Sequence, residues 1–179
     1  AITVPAFIHT EEAWGTDTVS LYRPVWMNAG TVIAIGVIPG EKRLSSDIFI
    51  VTPSAVNPLP AIAMPSAGQY VEWAAEVNVR ENLLAYESND GGDREVFVLS
   101  FKRGSTDVSN HRAADWNPVW QPAGLWLAFE SFRSGRRGIY RVFPNTIRVV
   151  PVAVAAEYDN WHPAWSPDGA FLAYVSDRD

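Results

Sequence analysis

The 179-residue sequence predicts an all-β protein, a β-propeller made of repeated four-stranded blades. Three observations support this prediction. A pattern centred on tryptophan occurs four times, no window of useful length has helical periodicity, and short apolar runs of strand length alternate with turn sequences. The 12 glycines and 13 prolines are enough for many turns but too few for a low-complexity chain.

The repeat emerges when Trp26, Trp73, Trp120 and Trp165 are aligned, because these residues are 47, 47 and 45 positions apart. In the first, third and fourth copies a glycine follows the tryptophan by four residues and an alanine by eight. The second copy has no such glycine and has four extra residues before "LLAY". We interpret the tryptophans as buried packing residues near the start of each inner strand. The second copy should deviate most, with a longer or irregular connection across 76–82.

Each copy divides into strands and turns. Pro-x-Trp opens the first strand, where proline removes no ladder donor, and "QPAG" and "SPDG" predict tight turns with glycine in the left-handed region. The runs "LLAYES", "WLAFES" and "FLAYVS" predict second strands. Third strands are predicted at 47–51, 95–99 and 138–142, and weaker fourth strands at 61–64 and 148–155.

These strands predict a partial propeller forming a single domain over residues 1–179. The approximate blades are 22–64, 70–110, 117–155 and an incomplete 161–179, and residues 1–10 supply the outer strand of a preceding blade. An open arc would expose apolar blade faces, so we expect a larger propeller or a second chain to cover its ends. The alternative is a closed four-bladed ring in which Ile2–His9 pairs beside Phe171–Ser176.

Composition and motifs exclude several functions. A net charge of −6 and a pI near 5.0 argue against nucleic acid as a partner, and no apolar run is long enough to span a bilayer. No Gly-x-Ser-x-Gly elbow, phosphate-binding loop or dinucleotide fingerprint is present. His9, His111 and His162 lack metal-ligand spacing, and "NDGGD" (89–93) predicts a hairpin turn rather than a calcium loop. We therefore predict no catalytic residues, no metal and no cofactor.

Two segments that lead into first strands are the best candidates for partner binding, because aromatic and polar side chains on rigidly held loops favour recognition. The alternative is that their acidic residues only satisfy backbone groups between blades. A basic cluster, Arg133, Arg136, Arg137 and Arg141 with Arg148 nearby, predicts a solvated hairpin tip, or else a contact patch for an acidic partner. The candidate binding residues are Asp115, Trp116, Asn117, Asp159, Asn160, Trp161 and His162.

The run "HPAWSPDGAFLAYVSDRD" resembles the TolB-type, WD-like β-propeller repeat, in which Pro-x-Trp-Ser-Pro-Asp-Gly precedes a strand ending in Ala-Tyr and then Ser-Asp-Arg. The copy "NPVWQPAG…LAFES" also matches, and the first and second copies match less. The resemblance implies a six-bladed, extracytoplasmic (periplasmic or secreted) propeller that acts as a non-catalytic scaffold for a protein partner. The alternative is the accessory propeller of a prolyl-oligopeptidase-like serine peptidase or a carbohydrate-active enzyme, with the catalytic part outside this chain.

Overall fold

The computed structural model describes residues 20–28, 31–37, 47–52, 55–58, 72–89, 92–100, 102–122 and 124–179. The described part of the chain contains β-strands and turns but no helix. The strands are β1 (Ser20–Asn28), β2 (Thr31–Val37), β3 (Asp47–Thr52), β4 (Ala55–Pro58), β5 (Glu72–Asn78), β6 (Leu83–Ser88), β7 (Glu95–Ser100), β8 (Gly104–Asp107), β9 (Asp115–Trp120), β10 (Leu127–Ser131), β11 (Gly138–Phe143), β12 (Arg148–Ala153), β13 (Asn160–Trp165) and β14 (Leu172–Ser176).

The strands form four antiparallel meanders. Strands β1 to β4, β5 to β8 and β9 to β12 each make a four-stranded sheet in chain order, and β13 pairs with β14. The first strands of successive sheets, β1, β5, β9 and β13, contact one another in sequence. This is the arrangement of propeller blades around a central channel, with the first strand of each blade innermost, so the predicted fold class is confirmed.

Most predicted strands lie where the sequence places them. Third strands form as β3, β7 and β11, and the fourth strand predicted at 148–155 forms as β12. In the first blade the fourth strand is β4, at Ala55–Pro58, and the predicted run 61–64 lies outside the described residues. Ile2–His9 also lies outside them, so neither the predicted outer strand nor the closed ring is tested.

The alignment of the second copy on Trp73 is wrong. Leu127 in "WLAFES" and Leu84 in "LLAYES" hold the same position of the repeat. Leu127 pairs with Trp120, whereas Leu84 pairs with Val77. Trp73 follows the first residue of its inner strand, as Trp116 and Trp161 do. The second copy therefore has no extra residues: after an irregularity between Glu72 and Ala75, its pairing continues in register to Asn78 opposite Leu83, so the irregular connection predicted across 76–82 is wrong. In the second copy Val77 holds the position that Trp120 holds in the third. Aligning the two copies by their tryptophans therefore gave the wrong register.

The first copy also differs from its predicted register. Ala128 lies opposite Val119, the residue before the repeat tryptophan, whereas Ile33, not Ala34, lies opposite Val25. The hairpin between β1 and β2 is one residue shorter than its equivalents. Ala34 therefore does not occupy the register position of Ala128.

The main core lies between the second and third blades, where apolar side chains of both sheets pack together. Trp120, 7% exposed, donates its indole N–H to the carbonyl of Glu76 on the preceding inner strand at 3.1 Å. Trp165 makes the equivalent bond to Val119 at 3.2 Å. Inter-blade packing is confirmed for these two residues, but their predicted place near the start of the inner strand is wrong: each is the last residue of its strand. The predicted burial is wrong for Trp26, which is 52% exposed.

The predicted tight turns also join blades. Gly124 and Gly169 have φ of +75° and +70°, and the N–H of each closes the turn on Gln121 and Ser166 respectively. A Cβ on Gly124 would lie 2.9 Å from the Asn78 amide nitrogen, so the turn packs against the end of the preceding inner strand. Glycine is therefore required here both by the backbone conformation and by the close approach.

Candidate functional site

One end of the inner strands gathers all seven predicted binding residues and three of the predicted arginines. Asp115, the first residue of β9, lies opposite Ser131, the last of β10, so the connections before β9 and after β10 meet at one edge of the sheet. The N–H of Phe132 donates to the carbonyl of Ala114 at 3.2 Å and joins them. We call this surface the mouth face; it comprises residues 108–117, 131–138 and 154–162.

A fully buried carboxylate joins the third blade to the fourth at this face. Glu130 is 0% exposed, and its Oε1 accepts from the backbone N–H of His162 at 2.9 Å and from Nδ2 of Asn117 at 2.8 Å. Its Oε2 forms an ion pair with Arg137. The carboxylate therefore has partners on its own blade and on the next one, which is what a buried charge requires.

The same arrangement joins the second blade to the third. Glu87 accepts from the backbone N–H of Asn117 at 2.6 Å and is paired with Arg94. Asn117 and His162 both have left-handed backbones, with φ of +54° and +51°, inside the strand irregularities that open β9 and β13. Each glutamate thus holds a residue in a rarely populated conformation at the start of the next inner strand. The site is consequently rigid at its backbone.

Two of the seven candidates are buried and have structural partners. Asp115 is 0% exposed and forms a 2.9 Å ion pair with Arg133, and Asn160 is 1% exposed. Asp159 accepts from Nε of Arg136 at 3.1 Å and from the backbone N–H of Arg137 at 3.0 Å. Asp159 thus joins the fourth blade to the backbone of the third, whereas the ion pair of Asp115 lies within the third blade.

The prediction of a solvated basic tip is wrong for three of the arginines. Arg133 and Arg136 are paired with carboxylates of the mouth face, and Arg137 is paired with Glu130 directly beneath it. Arg141 lies elsewhere, with its guanidinium carbon 4.3 Å from the centre of the Trp126 ring. The local excess of positive charge in the sequence is thus largely neutralised by acids that are distant in the sequence.

An aromatic stack remains accessible on the mouth face. The guanidinium carbon of Arg137 lies 5.3 Å from the ring centre of Trp116 and 5.6 Å from that of Trp161, so the cation sits between two half-buried indoles of neighbouring blades. Phe132, 46% exposed, packs on Trp116 with ring centres 5.1 Å apart. His162 is exposed beside them. We call Trp116, Phe132, Arg137 and Trp161 the aromatic stack.

Sequence reasoning missed one member of this surface, Phe132, named Arg137 only as part of the basic cluster, and also missed a regularity in the residues that begin the inner strands. Tyr22 and Trp73 occupy the same register position in β1 and β5 as Trp116 in β9. Every described blade therefore places an aromatic residue at the start of its inner strand. The signal was present in the sequence but needed the strand register, because the alignment on Trp73 had hidden it.

A buried acidic cluster lies behind the mouth face, between the second and third blades. Glu95 accepts a hydrogen bond from Oγ of Ser109 at 2.5 Å, and Asp115 and Asp107 lie near it. Burial raises the pKa of Glu95 to about 7; the hydrogen bond from Ser109 opposes this, and the two aspartates add to it. Burial also raises the pKa of Asp115, although Arg133 opposes the effect.

The other chemical candidates have local roles. Nδ1 of His111 accepts from the backbone N–H of Ala113 at 3.0 Å, and Gly92 closes the turn predicted at 89–93 by donating to Asn89 at 3.0 Å. In the part of the chain that the structure describes, no three histidine or acidic side chains form a metal-binding group. The same described residues include no helix that is long and apolar enough to cross a bilayer.

Comparison with protein families gives no match to this chain, and comparison with curated proteins gives none either. Among solved structures, the chain is similar to a putative TolB from Agrobacterium tumefaciens, with 18% identity and a TM-score of 0.60 over 80% of this chain and 50% of that one. It is also similar to TolB from Acinetobacter baumannii, with 17% identity and a TM-score of 0.63 over 90% of this chain and 38% of that one. The chain thus spans half or less of those structures and has the TolB-type β-propeller fold.

Proposed function

We propose that the chain is a non-catalytic scaffold for protein–protein interaction that binds its partner on the mouth face. The observation that carries the proposal is the aromatic stack, in which Arg137 holds Trp116 and Trp161 of neighbouring blades on one surface. Tryptophan and arginine are the side chains that most often dominate the energy of an interface, particularly when their rotamers are already restrained.

The candidate residues divide into a contact set and a supporting set. Trp116, Asn117, Trp161 and His162 are half-buried or exposed and can reach a partner. Asp115, Asp159 and Asn160 hold the backbone beneath them, two of them from buried positions. The glutamates of the preceding blades fix the strand starts. A preorganised surface loses little conformational entropy on binding, which suits it to recognition.

We also propose that the chain is an arc of a larger extracytoplasmic propeller, six-bladed if it follows TolB. The short share of the two TolB structures that it spans supports this. Tyr174 in β14 supports it too: it is 45% exposed, whereas the residues at the same position, Tyr86 and Phe129, are 2% and 0% exposed. A further blade packed on β14 would bury Tyr174 as the others are buried.

A photo-crosslinking amino acid at position 162 is the experiment that tests the binding surface. The partner captured there is purified, and its affinity is measured for Trp116→Ala, Trp161→Ala and Trp126→Ala. Trp126 is the matched control, since it is a half-buried tryptophan in the turn at the opposite end of the blade. We expect the first two variants to lose affinity about tenfold or more and the control to keep it.

Two results would contradict the proposal. Equal affinity losses in all three variants would mean that the stack acts only through stability. Hydrolysis of a generic ester, peptide or glycoside by the purified chain, abolished by one serine or carboxylate substitution, would show that it is an enzyme.

A further inference from the structure

A second surface lies at the opposite end of the blades, away from the mouth face. A cleft of about 580 Å³ opens there between the second and third blades, beside the turns after β5, β7, β9 and β11. Its volume is in the range of small-molecule sites, which is about 300–1,000 Å³. We infer that this cleft binds a single-chain anionic amphiphile, an alkyl chain that carries one carboxylate.

Part of the cleft lining is apolar, beside the polar side chains of Ser100, Thr106 and Asn145. It is formed by side chains from both blades, with Val98 5% and Trp120 7% exposed and Leu83 partly buried. Two further apolar side chains stand at the rim in contact with water: Leu125 is 53% exposed and Ile147 is 44% exposed. An alkyl chain in the cleft would cover these surfaces, which is favourable in proportion to the apolar area removed from water.

The rim is positively charged. Lys102 and Arg103 lie in the turn between β7 and β8, where the N–H of Arg103 donates to the carbonyl of Ser100 at 3.1 Å. Both side chains are exposed, and within the described chain neither forms an ion pair. Among the described residues that line the rim, Glu81 is the one acid. Two cations that have no ion pair among the described residues, beside apolar side chains, are complementary to an anionic head on an apolar chain.

The backbone at Ile147 is an independent observation for the same site. Ile147 has φ of +52°, although a β-branched residue strongly disfavours the left-handed region. Its N–H closes the turn on the carbonyl of Phe143 at 3.2 Å, so the conformation is required by the hairpin. Glycine or asparagine would meet that requirement with less strain. Isoleucine at position 147, although strained in this conformation, places an apolar side chain at the rim of the cleft, as expected of a ligand contact.

Isothermal titration of the purified chain with decanoate below its micellar concentration tests the inference. Matched probes are octanoate, decanol and decyltrimethylammonium. We expect decanoate to bind about tenfold more tightly than octanoate, because octanoate lacks two of the methylenes that decanoate buries. Decanoate should also bind more tightly than the neutral and cationic probes. Lys102→Gln and Arg103→Gln should each weaken decanoate binding about two- to fivefold. Glu81→Gln should strengthen it, and Arg112→Gln, an exposed arginine of the mouth face, should leave it unchanged.

Ile147→Asn separates a ligand contact from a structural residue. We expect this variant to unfold at the same temperature as the parent chain or higher, while decanoate affinity falls. Equal affinity for decanoate and decyltrimethylammonium, or a decanoate affinity that Ile147→Asn and Lys102→Gln leave unchanged, would overturn the inference. The cleft does not include the aromatic stack, so this result is independent of partner binding at the mouth face.

Discussion

The carboxylate of Glu130 accepts a hydrogen bond from the backbone N–H of His162 at 2.9 Å, so a buried side chain of the third blade holds the start of the inner strand of the fourth. Glu87 has the same relationship to Asn117, one blade earlier. At the positions of these glutamates, β2 has Ile35 and β14 has Val175. The carboxylate link is therefore a property of the second and third blades within the described chain, and it suggests where the propeller resists separation of its blades.

Glu130→Gln should destabilise the protein by about 3 kcal/mol, because a neutral amide cannot accept all the donors of the carboxylate and leaves Arg137 without its counter-charge. Chemical denaturation monitored by tryptophan fluorescence measures the loss. Glu157→Gln, at an exposed position, is the matched control and should change stability by less than about 0.5 kcal/mol. A loss of stability no larger than that of the control would show that the Glu130 carboxylate does not stabilise the fold.

Trp120→Phe should cost about 1–3 kcal/mol, because it removes the indole donor and leaves the carbonyl of Glu76 without that partner. Trp165→Phe should cost less, since Trp165 is only half-buried and water can replace the lost bond. Thermal unfolding of the two variants, with Trp126→Phe as a control for the loss of ring size, provides the comparison. The reverse order of effects would contradict the proposed role of this position in blade packing.

Gly124→Ala should be more destabilising than Gly135→Ala. Both glycines have positive φ, at +75° and +90°, so both variants pay the left-handed penalty of about 1–2 kcal/mol. Only at Gly124 does the new methyl meet another blade, 2.9 Å from the Asn78 amide; at Gly135 it meets nothing within 4 Å. The difference between the two unfolding free energies isolates the contact between blades. Equal losses would show that this turn is free to move away.

Stability should fall as the pH rises from about 4.5 to about 7, through the titration of Glu95. Its pKa is 4.5 ordinarily and about 7 in the folded protein, so the folded state holds the proton more tightly. The stabilisation is complete below pH 4.5 and is lost as the pH passes 7, with an upper limit of about 3 kcal/mol. Asp115 acts in the same direction, because burial raises its pKa as well.

Glu95→Gln is the test of that pH dependence. The amide is neutral at every pH, so the difference in unfolding free energy between Glu95→Gln and the parent chain should change across this window and be constant above it. Denaturation curves at several pH values measure the difference. A difference that does not change between pH 4.5 and 7 would mean that Glu95 is ionised in the folded protein throughout.

The sequence alone was sufficient for the fold class, for most strand positions and for the turns. Strand length and turn residues are local properties and were read correctly at most positions, but Pro-x-Trp was predicted to open the inner strand, whereas Trp120 and Trp165 end it. The alignment by tryptophan failed at Trp73, where a tryptophan stands four residues from the repeat position that Val77 occupies. Residue type identified a repeat unit there, but not its register.

The composition of the mouth face was decided by the tertiary structure. The sequence showed an arginine cluster and two aromatic segments as separate features, and only the packing of blades places Arg137 between Trp116 and Trp161. The contacts responsible join residues far apart in the chain: 32 positions from Glu130 to His162 and 46 from Val119 to Trp165. A residue's local neighbours set its strand or turn, whereas its ion pairs and stacking partners depend on which blades become adjacent, and that depends on the burial of whole sheet faces.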